Sequence, residues 1–298
     1  MTKKIVLFGA SGFLGTRFQH YFAARKNWQM APFTHAQADV TNISRLRAVL
    51  DEVKPDAVIN ATAFLNTDRC EKEPEASYRV NFLGARNLAE LCAERGACLI
   101  QFSTDYVFDG KTGGYAEESI AHPLSYYGLH KYLADEAMLK MKTPGYILRI
   151  ASLIGAGADK SDLVKALLGR VARGARKLDV VNDLEISVST PQFLAGVITG
   201  LLEKQAPYGL YHTVGAGQTT WLDAMCVAFE ELGVDIPLAP ISSNAFPRLG
   251  PRPQKSWMKT EKLAGVLGRV PSWQEIIRAQ TRDLKESYLA ILKQTKAA

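Results

Sequence analysis

Within 4–8 a continuous apolar run follows Lys4, and Phe13, Leu14, Phe18 and Phe22 then recur at helical intervals over 13–24. The pattern predicts a strand, a turn and a helix. It repeats as strand 28–33, helix 43–53, strand 57–60, helix 76–95, strand 98–103, helix 127–140 and strand 146–150. Short buried strands separated by amphipathic helices imply an α/β fold, a doubly wound parallel sheet covered on both faces. After Gly155 the rhythm changes. Amphipathic segments 163–173, 191–203 and 222–232 alternate with short strands such as 178–181 and 210–213, and prolines cluster at 247, 251, 253 and 271. This predicts a core domain over 1–155 and a smaller α/β lobe over 156–298, with segments interleaved.

Apolar residues make up 47% of the 298 and charged residues 22%, which is ordinary globular composition. The longest uncharged apolar stretch, 193–202, falls short of the roughly 18 residues a spanning helix needs, so no membrane association is expected. Lysine and arginine total 36 against 30 acidic residues, a net +6 spread through both halves. That balance suits an anionic small molecule and argues against a nucleic-acid polymer as partner. The one local excess, Lys165, Arg170, Arg173, Arg176 and Lys177, reads as a solvated helix face, with a ligand-phosphate patch as the alternative. Cys70, Cys92, Cys98 and Cys226 have neither Cys-x-x-Cys nor zinc-ligand spacing, so reduced thiols and no metal are expected. Lys3 and Lys4 ahead of an apolar run imitate a secretory leader, but Gly9, Gly12 and Gly15 interrupt the run and Arg17 follows, so the expected setting is cytoplasmic.

Chemistry concentrates in two places. Gly9, Ser11, Gly12, Phe13, Leu14 and Gly15 lie where the first strand meets the first helix, and glycines there let a diphosphate approach backbone N–H groups at the positive helix end. The spacing is GxxGxxG. Tyr127 and Lys131 stand one helical turn apart, so a cation can stabilise a phenolate and is expected to lower the phenol from its ordinary ~10. Thr104, ending the fourth strand, offers a hydroxyl to the same substrate oxygen.

These runs, 9–15, 60–63, 103–110 and 127–131, resemble an extended short-chain dehydrogenase/reductase. The segments 66–74, 209–212 and 219–221, with Arg252, Pro253, Ser256 and Lys262, narrow the likeness to the dTDP-4-dehydrorhamnose reductase family over nearly the whole chain. The resemblance implies a Rossmann-type domain with a substrate-binding lobe, and Thr104, Tyr127 and Lys131 as the catalytic set. It implies that Gly9, Ser11, Gly12, Phe13 and Leu14 hold the cofactor diphosphate, Asp39 and Val40 the adenine, and Ala61, Thr62 and Ala63 the cofactor's backbone side. Thr104, Asp105 and Arg252 are implied at the substrate. Read from the residues alone, Asp39 could equally cap the helix starting near Asn42, and Val40 could be core.

No carboxylate ends the second strand; Thr34 and His35 stand there, which favours NADPH over NADH and offers both as contacts for a 2′-phosphate, with an exposed bystander as the alternative reading of His35. The expected reaction is reduction of a nucleotide-activated 4-keto-6-deoxy sugar. The alternatives are a reductase or epimerase acting on another nucleotide sugar, and a non-catalytic NADP-binding subunit, since the regulatory β subunit of methionine adenosyltransferase resembles the same family. Two departures from the family pattern fall on the sugar side: 149–154 lacks an aromatic residue, and 182–191 is altered. A homodimer is compatible with the resemblance, although Arg17 stands where acidic side chains would hold a bridging metal.

Overall fold

The structure, a computed structural model, describes residues 2–155 and 162–294. Its first half alternates β1 (Lys3–Phe8), α1 (Phe13–Ala23), β2 (Trp28–Phe33), α2 (Ile43–Val53), β3 (Ala57–Asn60), α3 (Thr67–Lys72), α4 (Pro74–Ser77), α5 (Ala85–Arg95), β4 (Cys98–Thr104), α6 (Tyr126–Lys140) and β5 (Gly145–Ile150). The helix expected over 76–95 runs from α4 to α5 through a π-helical segment, Tyr78–Gly84. π turns inside helices often accompany functional sites.

Among the described residues one sheet has six strands in the order β2-β1-β3-β4-β5-β9, all parallel, where β9 is Gly209–His212. Strand alternation divides its core. Ile5 and Leu7 face Phe18 and Phe22 of α1 and Leu194, Ile198 and Leu201 of α8 (Pro191–Glu203). Val6 and Phe8 face Leu46 and Leu50 of α2 and Leu88 and Leu91 of α5. Phe18 and Phe22 are nearly fully buried, and truncating either to alanine should cost about 3–5 kcal/mol. The order reverses between β1 and β3, so the crevice beyond their carboxyl ends is where a doubly wound sheet binds ligands.

A second core gathers α7 (Leu163–Ala172), β7 (Leu178–Val181), α9 (Trp221–Leu232) and α11 (Trp273–Asp283) around Leu168, Val188, Phe229 and Ile277. Two short parallel pairs belong to this half: β6 (Ser152–Leu153) with β8 (Val188–Ser189), and β10 (Leu238–Ile241) with β7. The chain meanwhile returns to the first sheet, since α8, β9 and Leu263 of α10 (Glu261–Leu267) pack in its core. The helix α12 (Lys285–Gln294) closes the described chain, with Tyr288 donating to the buried Asp162 at 2.6 Å. No described helix is long and apolar enough to cross a membrane.

Candidate active site

Gly9 leaves β1 with φ +83°, and a Cβ there would stand 2.7 Å from the backbone of Ala61, so only glycine lets the turns after β1 and β3 approach. Gly15 lies beneath them, where a Cβ would run into the Gly9 carbonyl. Helix α1 has Gly12 as its N-cap with no side-chain cap and no acidic residue in its first turn. The N–H groups of Phe13, Leu14 and Gly15 therefore lack intrahelical acceptors and give the helix end its positive character. A cleft of about 520 Å³ opens above it. Gly9, Ser11, Gly12, Phe13, Leu14, His35, Asp39, Val40, Ala61, Thr62, Ala63, Tyr127 and Lys131 all line this cleft. Gly15 and Thr34 do not: Gly15 is buried under the loop, and the Thr34 hydroxyl donates to Gln37 at 3.0 Å.

At the β2 end His35 is exposed and 4.0 Å from Asp39. Asp39 accepts from the Thr41 N–H at 2.9 Å, while the N-cap of α2 is Asn42, which accepts from Arg45. Asp39 is thus a loop residue facing the cleft and not a helix cap. Val40 both lines the cleft and sits 2% exposed in the core, packed against Gly84.

At the other end Ser125 caps α6, which aims Tyr127 and Lys131 at the carboxyl end of β4. Thr104 accepts from the Tyr106 N–H at 3.2 Å and donates to Asp105 at 3.2 Å. Asp105 also accepts from Ser256 at 2.5 Å. Burial pushes the Asp105 carboxyl up to about 6, against the pull of these hydroxyls. Burial, seconded by the Asp105 charge, raises the Tyr127 phenol above its ordinary value, and Thr104 acts the other way. The lowering expected from Lys131 is not found: desolvation and the neighbouring carboxylate push the phenol up. Lys131 is 3% exposed, and burial brings its ammonium down to about 8.

Arg252 lies outside this cleft. It lines a second cavity of about 700 Å³ with Arg170, Arg248, Trp221, Phe246 and Gln254, and its buried Nε has no hydrogen-bond partner among the described residues. Arg170 is exposed like Arg173, Arg176 and Lys177, as a solvated face requires, and it also borders this cavity. Tyr106 stands between the two cavities, edge-on to Tyr127 at 5.9 Å and within the charge influence of Arg252 and Arg248.

The cleft fits a dinucleotide carrying phosphates: an uncapped helix N-terminus, a glycine turn without side chains in the way, and a buried ammonium with no hydrogen bond or ion pair among the described residues. Its floor is held by residues that no motif singles out. Asn60 donates to Gln101 at 2.8 Å and accepts from the Thr62 hydroxyl at 2.6 Å. Asn81, in the π-helical segment, accepts from the Phe64 N–H at 2.9 Å and donates to the Phe64 carbonyl at 3.0 Å. The available signal was a lone asparagine on a buried helix face. No group of His, Cys, Asp and Glu that could hold a metal exists among the described residues.

Sheet, switch-point cleft and flanking lobe together define a Rossmann-type protein of the short-chain dehydrogenase/reductase kind. Within that class the chain belongs to the RmlD substrate binding domain family, whose family model matches residues 3–286. It is 30% identical over 291 residues to the dTDP-4-dehydrorhamnose reductase of Aggregatibacter actinomycetemcomitans, covering 92% of this chain and 97% of that protein. The enzyme of the same name from Mycolicibacterium smegmatis is 32% identical over 282 residues, covering 93% and 85%. The crystal structure of dTDP-4-dehydrorhamnose reductase from Bacillus anthracis in complex with NADP superposes with a TM-score of 0.87 at 29% identity, covering 95% of this chain and 100% of that one.

Proposed function

We propose that the protein is an NADPH-dependent reductase of a nucleotide-activated 4-keto-6-deoxy sugar, with dTDP-4-dehydrorhamnose as its substrate. The observation that carries this reading is that Tyr127 and Lys131 line a cleft that starts at an uncapped helix terminus, with the Thr104 hydroxyl hydrogen-bonded to Tyr127 behind them. The chemistry NADPH supplies when bound is delivery of a hydride to a ketone carbon. Ser11, Gly12, Phe13 and Leu14 hold its diphosphate, Asp39 and Val40 its adenine side, and Ala61, Thr62 and Ala63 line its path. Gly15 contributes from below, by letting α1 close on β1.

Tyr127 gives its proton to the ketone oxygen. Its raised pKa keeps it protonated through the neutral range, which suits a donor in the reductive direction. Thr104, held by the Tyr106 N–H, presents its hydroxyl to the same oxygen. Lys131 supplies positive charge beside the phenolate that proton transfer leaves behind. Asp105 takes a sugar hydroxyl, and Arg252 with Arg248 and Arg170 offers cationic partners for the substrate's diphosphate in the second cavity. Trp221 and Phe246 supply apolar surface there for a base. The four free cysteines support a reducing, cytoplasmic setting.

The test is direct: purified protein mixed with NADPH and dTDP-4-dehydrorhamnose should oxidise NADPH and form dTDP-rhamnose. Absence of turnover with every nucleotide 4-keto sugar would remove the reading.

A further inference from the structure

A buried ammonium without a hydrogen bond ordinarily gives up its proton. Lys131 is in that position. One helical turn further along α6 lies Asp135, 1% exposed. Its Oδ2 accepts from Ser103 Oγ at 2.8 Å and from Arg149 Nε at 3.2 Å, while its Oδ1 has no hydrogen-bond partner among the described residues. Ser103 and Arg149 are register partners on β4 and β5, so the two strands fix the carboxylate from below the helix. The arginine engages one oxygen only. Its guanidinium lies over the Phe108 ring at 5.3 Å, and its Nη1 is likewise unpartnered. Spacing of four residues sets Tyr127, Lys131 and Asp135 in one row.

We propose that Asp135, anchored by Ser103 and Arg149, is a positioning residue that keeps the buried Lys131 ammonium protonated beside Tyr127. The proposal rests on the reading of Lys131 as a working cation. The titratable or charged groups on the elements packed around α6 include Asp68, Arg69, Cys70, Glu71 and Lys72 of α3, Glu75 of α4, Tyr78 and Arg79 of the π-helical segment, Arg86, Glu90, Cys92, Glu94 and Arg95 of α5, Asp105 and Tyr106 after β4, and Arg149 of β5. Asp135 is the one among the described residues whose charge acts on Lys131, and it opposes the effect of burial. A carboxylate that served Arg149 alone would leave the lysine's titration untouched.

The experiment follows lysine ¹³Cε resonances of the cofactor-free protein by NMR across pH, with Lys131 identified by the signal lost in Lys131→Met. In the wild type the Lys131 signal should titrate at about 8. In Asp135→Asn the midpoint should fall by at least about one unit, and in Asp135→Glu, which keeps the charge, it should stay closer to the wild type. An unchanged midpoint in folded Asp135→Asn overturns the proposal. Removing half of a buried ion pair can unfold a protein, but the coupling is reciprocal and can be read from its other end. Lys131→Met leaves the Asp135–Arg149 pair intact and should raise the Asp135 carboxyl pKa; no rise overturns the proposal too. Neither arm needs turnover, so failure to reduce any sugar would remove the functional reading while leaving this coupling standing. Where turnover is measured, Asp135→Asn should bring the alkaline fall of kcat/KM for NADPH to lower pH, and Asp135→Glu should restore it.

Discussion

Ser256 donates a hydrogen bond to Asp105 Oδ2 at 2.5 Å across 151 residues of chain, tying the segment ahead of α10 to the end of β4. Asp105 also receives the Thr104 hydroxyl and has no ion pair among the described residues. This carboxylate, next to Thr104, is therefore buried with neutral hydroxyl and backbone N–H donors and no cation.

That arrangement costs stability when the group is ionised. An unfolded aspartate titrates near ~3.9, whereas folded Asp105 titrates at about 6. Between these values the folded state binds more protons than the unfolded one. This contribution accordingly stabilises the fold as pH falls from 7 toward 4 and is lost as pH rises through the folded pKa. Asp105→Asn should gain on the order of 1–3 kcal/mol at pH 8, where the charge is removed, and much less at pH 4.5. Urea unfolding at the two pH values measures it; equal effects at both would show that the carboxylate is not strained by burial.

Gly9→Ala should destabilise the protein by about 2 kcal/mol or more, since the added methyl meets the Ala61 backbone and φ +83° is unfavourable for alanine. NADPH affinity should fall at least tenfold with it, because relief of the clash pushes the turn after β3 into the cleft. Thermal unfolding and fluorescence titration read the two effects separately.

What was legible in the sequence was local. Three glycines at a strand–helix junction, Tyr127 and Lys131 at one-turn spacing, and alternating apolar runs each declare themselves within a few residues. The sheet followed from the same runs, including 210–213 as a strand; that it completes the first sheet beside β5 is a long-range fact that periodicity does not carry. The same holds for Asn60 with Gln101, Asn81 with Phe64, and Ser256 with Asp105, whose partners are 41, 17 and 151 residues away. The rise of the Tyr127 pKa was hidden for a related reason. The i, i+4 lysine is visible in the sequence, but the burial and the Asp105 charge that raise the phenol come from tertiary packing.

Cofactor choice depends on the end of β2. No carboxylate stands there, and exposed His35 lines the cleft. NADPH should bind at least tenfold more tightly than NADH, about 1.4 kcal/mol, and His35→Asp should narrow or reverse that ratio by repelling the 2′-phosphate. Paired fluorescence titrations decide it; tighter NADH binding by the wild type would mean that this strand end does not select the phosphate.

Arg252 tests the sugar side. Its unpartnered Nε in the second cavity should find an acceptor in the substrate, so Arg252→Ala should raise KM for dTDP-4-dehydrorhamnose roughly tenfold or more and leave NADPH affinity unchanged. Steady-state kinetics with each substrate varied in turn separates the two; a loss confined to NADPH binding would place Arg252 at the other ligand.

The central claim is that Tyr127 is the proton donor of a sugar reduction, and Tyr127→Phe measures it most directly. The substitution deletes one hydroxyl and keeps the ring against Tyr106, the glycine turn and Lys131. With dTDP-4-dehydrorhamnose and NADPH, kcat should fall roughly 10²-fold or more while the Kd for NADPH stays within about twofold, the range expected for loss of a general acid. Equal turnover by variant and wild type would contradict the assignment, and no turnover by either, alongside tight NADPH binding, would point instead to a non-catalytic subunit.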